Sequence, residues 1–369
     1  MQKKDLNSEI VEQTCERALL VAVDLGAYDV DASLLELEEL AKSAGAEVIA
    51  SVSQKRKGFD RRTIIGPGRL EEAREFAAAN DINLLIYDHE LTASQVRNIE
   101  TAAGIPVIDR TMLILDIFAR RAFTHEGRLQ VELAQLRYRL PRLAGQGKAL
   151  SRLGGGIGTR GPGETKLESD RRHIRNRIQA LEKQLAKVEK HRDLLRARRK
   201  KDRVVTVAVV GYTNVGKSTL LNKLTDAGVL AEDMLFATLD PVARALALPD
   251  RRRVMLVDTV GLVRRLPHGL VKAFHSTLEE AALADLILIL CDAGSLDAED
   301  QIRVAQDVLL ELGAADTPRL IVRNKCDLLP LADQSVCSPS EIFISAKTGE
   351  GLPALLERIA ASLPTRPTP

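Results

Sequence analysis

The chain has 369 residues, enough for two or three domains with cores of their own. Apolar residues make up 45% and charged residues 28%, which excludes a disordered or fibrous chain. The formal net charge is only +2, yet residues 137–203 hold 21 Lys or Arg against 7 Asp or Glu, a local +14 that leaves −12 for the rest.

The amino terminus, Met1-Gln2-Lys3-Lys4-Asp5, precedes no apolar signal-peptide core. Residues 18–24 (ALLVAVD), 47–53, 82–88 (INLLIYD) and 105–109 (IPVID) are short, apolar and rich in β-branched side chains, so they read as strands. Residues 33–44, 69–79, 93–103 and 112–122 read as helices. Strands about 30 residues apart with helical crossovers predict a parallel sheet. Residues 54–62 (QKRKGFDRR) form a basic loop, and Gly66-Pro67-Gly68 opens the next helix as a turn and cap.

The period then changes. Leu129, Leu133, Leu136, Leu140 and Leu143 step by 4, 3, 4 and 3, and the seam resumes at Ile174, Ile178, Leu181, Leu185 and Val188. Two such helices zip into an antiparallel hairpin. Pro141 predicts a kink or an early helix end. The join, residues 145–170, has eight glycines and one proline and reads as loop. Glycines at the tip and basic flanks point to contact with nucleic-acid phosphates rather than to a solvated spacer.

From 203 to 363 the pattern is again α/β. Strands are expected at 204–210 (VVTVAVV), 243–248, 254–258, 286–292, 320–324 and 341–344, and helices at 219–224, 271–283, 298–312 and 353–363. Residues 364–369 read as a tail. Gly211-Tyr212-Thr213-Asn214-Val215-Gly216-Lys217-Ser218 fits GxxxxGK[ST] between a strand and a helix opening at Thr219. Such a loop wraps phosphates with backbone N–H groups, Lys217 supplies charge, and Ser218 is a candidate Mg²⁺ ligand.

Asn324-Lys325-Cys326-Asp327 follows a strand and resembles the NKxD motif, in which a carboxylate such as Asp327 accepts from two guanine N–H donors. Ser345-Ala346-Lys347 follows the last strand and resembles the SAK loop that completes a guanine site. In order, and at strand ends where doubly wound sheets bind ligands, the three motifs specify GTP. Asp258-Thr259-Val260-Gly261 matches DxxG, with Asp258 expected to hold Mg²⁺ through water and the Gly261 N–H to sense the γ-phosphate. In Leu235-Phe236-Ala237-Thr238-Leu239-Asp240, Thr238 is the best placed switch threonine and second Mg²⁺ ligand, ahead of Thr213, Thr225 and Thr259.

Leu262 stands where Ras-like enzymes carry a water-orienting Gln, so hydrolysis without a partner is expected on the order of 10⁻³ s⁻¹ or below. Asn214 is a candidate ligand for a monovalent cation such as K⁺, as in the cation-activated GTPases it resembles. His268 reads as a helix cap, and Arg264 and Arg265 read as partner contacts rather than arginine fingers.

These motifs, with the string GGGIGTRGPGETKLESDRR at 154–172, LFATLDP at 235–241 and Leu266-Pro267-His268, make the chain similar to HflX-type GTPases over nearly its full length. The resemblance implies an N-terminal α/β domain (1–125), a basic helical hairpin with a glycine-rich tip (126–202) and a doubly wound P-loop GTPase domain (203–363). It implies a monomer that binds the large ribosomal subunit near the peptidyl-transferase centre and splits stalled or idle ribosomes with GTP. The hairpin tip and the loop at 55–62 would face ribosomal RNA. The carboxy-terminal extension of some members is expected to be absent, and Pro67 stands where Ser or Lys is expected, which weakens the case for a second nucleotide site.

Two rivals differ in class. An RNA remodeller using ATP in its N-terminal domain lacks a second GxxxxGK[ST], and a small-molecule kinase has no use for NKxD and SAK. Cys15, Cys291, Cys326 and Cys337 lack zinc-site spacing, and no apolar run reaches the roughly 18 residues of a membrane span, so a reduced cytoplasm is expected.

Overall fold

The run RALLVAVD is apolar between its ends, and it forms β1 (Arg17–Asp24), whose six inner residues are all buried. Burial on both faces is what a central strand of a parallel sheet requires. The computed structural model describes residues 15–143, 162–201, 204–225, 236, 242–265, 281–329 and 341–363, and the chain divides into two units between Leu113 and Ile114.

In the first unit, β1 lies between β2 (Glu47–Lys55) and β3 (Leu84–Tyr87), and β4 (Val107–Asp109) extends the sheet beyond β3. All neighbours are parallel, as the spacing predicts. Helices α1 (Val30–Ser43), α2 (Pro67–Ala79) and α3 (Ala93–Ala103) make the crossovers. Their starts are encoded locally: the Asp29 side chain accepts from the Ala32 N–H, and Thr92 and Gln95 form a capping box. Gly66 is the N-cap of α2 with Pro67 in its first turn, and the Gly66 N–H donates to Gln54 Oε1 at 2.8 Å, so this turn is a helix start. Leu19, Val21, Val23, Leu85 and Tyr87 pack with Leu70, Ala73 and Ile99 into one core.

After β4 comes α4 (Arg110–Arg121), and then α5 (His125–Leu143) and α6 (Pro162–Lys201) form the hairpin. Leu129, Leu133 and Leu136 pack with Ile178, Leu181 and Leu185, the predicted seam. Glu126 near the start of α5 pairs with Arg192 late in α6, whereas Arg137 pairs with Glu182 at 2.7 Å, the order that antiparallel helices demand. Two expectations need correction. Pro141 sits in the last turn of α5 without ending it before Leu143, because the only donor it removes is one N–H near the helix end. The join is also shorter than 145–170: α6 begins at Pro162, since proline is well suited to a first helical turn. The glycines before residue 162 lie outside the described residues.

The second sheet has the order β10-β9-β8-β5-β7-β6, comprising β5 (Val205–Gly211), β6 (Val242–Ala247), β7 (Arg253–Asp258), β8 (Leu286–Asp292), β9 (Arg319–Asn324) and β10 (Glu341–Phe343). All pairs are parallel except β6 with β7. Helices α7 (Lys217–Thr225), α8 (Ala298–Glu311) and α9 (Leu352–Ser362) match the predicted segments within two residues. The helix expected at 271–283 falls almost entirely outside the described residues. No described helix is long and apolar enough to cross a membrane.

Candidate nucleotide site

The order of the second sheet reverses beside β5, and ligands of doubly wound sheets bind at the carboxyl ends of such strands. Gly211 ends β5 and starts the loop that leads into α7. A Cβ at Gly211 would lie 2.2 Å from the Leu290 carbonyl oxygen on β8, so only glycine fits there. Asn214 (φ 60°) and Gly216 (φ 92°) take left-handed conformations that bend the loop around. The first N–H groups of α7 lack intrahelical acceptors, which makes this helix start an anion site.

Lys217 is buried, and its Nζ donates to the Gly211 and Tyr212 carbonyls at 3.1 and 2.6 Å. Burial lowers its pKa to about 8, against the opposing pull of the Asp258 carboxylate. Ser218 Oγ donates to Asp258 Oδ2 at 3.0 Å, and Asp258 is completely buried at the end of β7. A hydroxyl and a carboxylate oxygen in contact are the hard donors that Mg²⁺ takes, so these residues fit the ion.

The segment after Asp258 is fastened to the phosphate loop. Leu262 N–H donates to the Gly211 carbonyl at 3.0 Å, and Thr213 N–H donates to the Leu262 carbonyl at 2.9 Å. A Cβ on Gly261 would lie 2.6 Å from Thr213 Cγ2 and 3.2 Å from Lys217 Nζ. Leu262 itself is buried, so neither its chemistry nor its position serves a water molecule. Thr259 donates its hydroxyl to Val209 within the sheet, and Thr225 donates to Leu221 within α7. Both are thereby committed to structure. Thr238, with Ala237, Leu239 and Asp240, lies outside the described residues, as does His268. Phe236 is described: it has φ 57° and buries its ring against Phe118 of α4, 4.6 Å between centroids, which leaves only its backbone for a ligand.

Asn324 joins the remaining motifs. Its Nδ2 donates to the Val215 carbonyl at 2.8 Å, and its Oδ1 accepts the Ala346 N–H at 2.9 Å. One side chain thus ties the phosphate loop to the loop after β10. A Cβ at Gly216 would stand 2.3 Å from that same Nδ2. Asp327 is exposed on the single helical turn Cys326–Leu328, where its carboxylate can accept from a base edge. Ser345 is buried and its Oγ accepts the Thr348 N–H at 3.1 Å, while Lys347 is exposed. Cys326 is buried, which pushes its thiol pKa up and suits it to packing.

Two side chains differ from expectation. Arg264 pairs with Asp297 at 2.8 Å, an internal contact made possible because α8 begins one residue later. Sequence reading also passed over Asp292, which holds Lys325 Nζ at 2.8 Å. Its place at the end of the apolar run LILILCD marked a strand end, but only the packed sheet shows its partner.

Residues 31–119 match a family described as GTP-binding GTPase N-terminal, 121–199 the GTP-binding GTPase Middle Region, and 206–325 a family described as 50S ribosome-binding GTPase. A protein of Caldanaerobacter subterraneus named GTPase HflX is 56% identical over 94% of this chain and 81% of its own. A protein of Escherichia coli with the same name is 44% identical over 94% of this chain and 83% of its own. Among solved structures, the complex of SsGBP with GDP aligns with 94% of this chain and 98% of its own, at 25% identity and a TM-score of 0.52.

Proposed function

The chain belongs to the HflX family of GTPases, and from that premise we propose that it is a GTP-driven switch acting on the large ribosomal subunit, where it splits stalled or idle ribosomes. The observation that carries the nucleotide half is the pair of hydrogen bonds made by the Asn324 side chain, which holds the phosphate loop and the base loop as one unit beside the exposed Asp327. In this reading Gly211 to Thr219 enclose the phosphates, Asp327 reads the guanine edge, and Ser345, Ala346 and Lys347 border the base. Ser218 and Thr238 would hold Mg²⁺, with Asp258 acting on it indirectly, and the bound ion would supply charge neutralisation at the β- and γ-phosphates.

Hydrolysis requires an in-line water, and the motif residues assigned to the γ-phosphate supply charge and N–H donors. Lys217 counters the negative charge, and the Gly261 N–H and Thr238 respond to the γ-phosphate. Leu262 orients nothing, so the enzyme alone is slow and the ribosome accelerates it. Asn214, exposed on the loop, is the candidate K⁺ ligand. Equal single-turnover rates in K⁺ and Na⁺ would remove that assignment.

The ribosomal half rests on the family described as 50S ribosome-binding GTPase and on the exposed basic side chains of α6, among them Arg172, Arg175, Lys183, Lys187 and Lys190. Such a stripe binds phosphate backbones with strong salt dependence. Only differential affinity of the GTP and GDP states for the ribosome can drive the cycle. Sedimentation of 70S ribosomes tests it: split subunits accumulate with a non-hydrolysable GTP analogue and not with GDP, and equal accumulation rejects the switch. The expected setting is the cytoplasm, the expected state a monomer, and the domain limits 125, 202 and 363 are open to limited proteolysis.

A further inference from the structure

The Lys325 ammonium is already engaged within the fold. It lies 2.8 Å from Oδ2 of Asp292, the last residue of β8, while the other oxygen of that carboxylate accepts the Gly294 N–H at 3.0 Å. Lys325 has φ 64°, a left-handed conformation that turns its side chain out of the line of β9. Asp292 and Asn324 are register partners, and the Ala293 N–H donates to the Asn324 carbonyl at 2.8 Å. The ends of β8 and β9 are therefore joined through backbone and side chain at the point where the base loop begins.

We propose that Asp292 is a positioning residue for guanine recognition, acting through Lys325. Anchored at both ends, the methylene chain of Lys325 spans from the end of β9 to the end of β8 and forms an apolar wall for one face of the base. Asp327 reads the base edge, and Asp292 does not touch the nucleotide. A long side chain held in its bound conformation before the ligand arrives loses less entropy on binding, which raises affinity. The inference rests on the guanine reading above and adds a residue that no motif contains.

The test is a double-mutant cycle on GDP affinity with the full chain. Asp292→Ala weakens GDP about 3- to 10-fold, the range expected for a partly exposed ion pair. In a Lys325→Ala background the same change adds less than about twofold. Asp292→Asn separates charge from turn geometry, because the amide keeps an acceptor for the Gly294 N–H. It is expected to weaken GDP as much as alanine does, and its conserved turn keeps the variant folded. Wild-type affinity in Asp292→Asn, or additive losses in the cycle, reduce Asp292 to a turn residue and overturn the proposal. Asp327→Ala is the control for the underlying reading: if it leaves GDP affinity unchanged, the guanine site fails whatever Asp292 does.

Discussion

At the carboxyl edge of the N-terminal sheet, Asp88 accepts from Arg110 at 2.9 Å, from Ser33 at 2.9 Å and from Tyr28 at 3.1 Å, and Arg110 also pairs with Glu36. His89 accepts the Val23 N–H there at 3.0 Å between the rings of Phe59 and Tyr28. Asp109 takes the N–H groups of Leu91 and Met112, both at 2.9 Å. The same edge of the second sheet is lined instead by glycine backbone, one buried lysine resting on carbonyls, and an asparagine that joins two loops. Both units are parallel sheets with helical crossovers. In one the strand ends satisfy each other with a buried side-chain network, and in the other, beside the partly exposed Asp292–Lys325 pair, they present backbone and leave a carboxylate exposed. The fold supplies the location, and the loop chemistry decides whether a ligand can use it.

The largest expected effect breaks the closed edge. Arg110→Met leaves Asp88 without its buried cation and costs about 3–5 kcal/mol in urea unfolding of the N-terminal unit, while GDP affinity stays within about twofold. A large fall in GDP affinity would show that the first edge is no mere structural network. Next comes Gly216→Ala, whose Cβ meets Asn324 Nδ2 in a left-handed backbone. It costs about 1–3 kcal/mol of strain and weakens GDP at least about tenfold, read by titration calorimetry.

A proton sharpens the contrast further. Burial holds the Lys217 pKa at about 8 in the folded chain, below the 10.5 of an ordinary lysine. Between those values the unfolded chain holds the extra proton, so stability of the nucleotide-free G domain rises with pH across that window. Lys217→Met flattens the rise. A polyphosphate beside Lys217 raises its pKa, so GDP binding near pH 8.5 takes up a fraction of a proton, measurable from calorimetry in buffers of different ionisation enthalpy.

The smallest effects lie on the hairpin. Arg177 is held by Glu132 at 2.6 and 2.8 Å but is exposed, so Arg177→Ala is expected to leave the thermal unfolding midpoint nearly unchanged. Arg172→Glu with Arg175→Glu leaves the unfolding midpoint unchanged and lowers cosedimentation with the large subunit, steeply with added salt.

Sequence alone determined the strands, the hairpin seam, the phosphate loop and the order of the nucleotide motifs. Each is legible because its chemistry is local: burial patterns repeat within a few residues, and eight consecutive positions build a phosphate loop. Tertiary structure alone decided how the motifs work together. Asn324 meets Val215 across 109 residues, Phe118 meets Phe236, Arg177 is drawn to Glu132, and Arg110 closes on Asp88 and Glu36. Asp292 became visible only once β8 lay beside β9 and brought its carboxylate to Lys325. No periodicity or spacing encodes such pairs, because strand order sets which loop ends meet, and strand order is a property of the packed sheet.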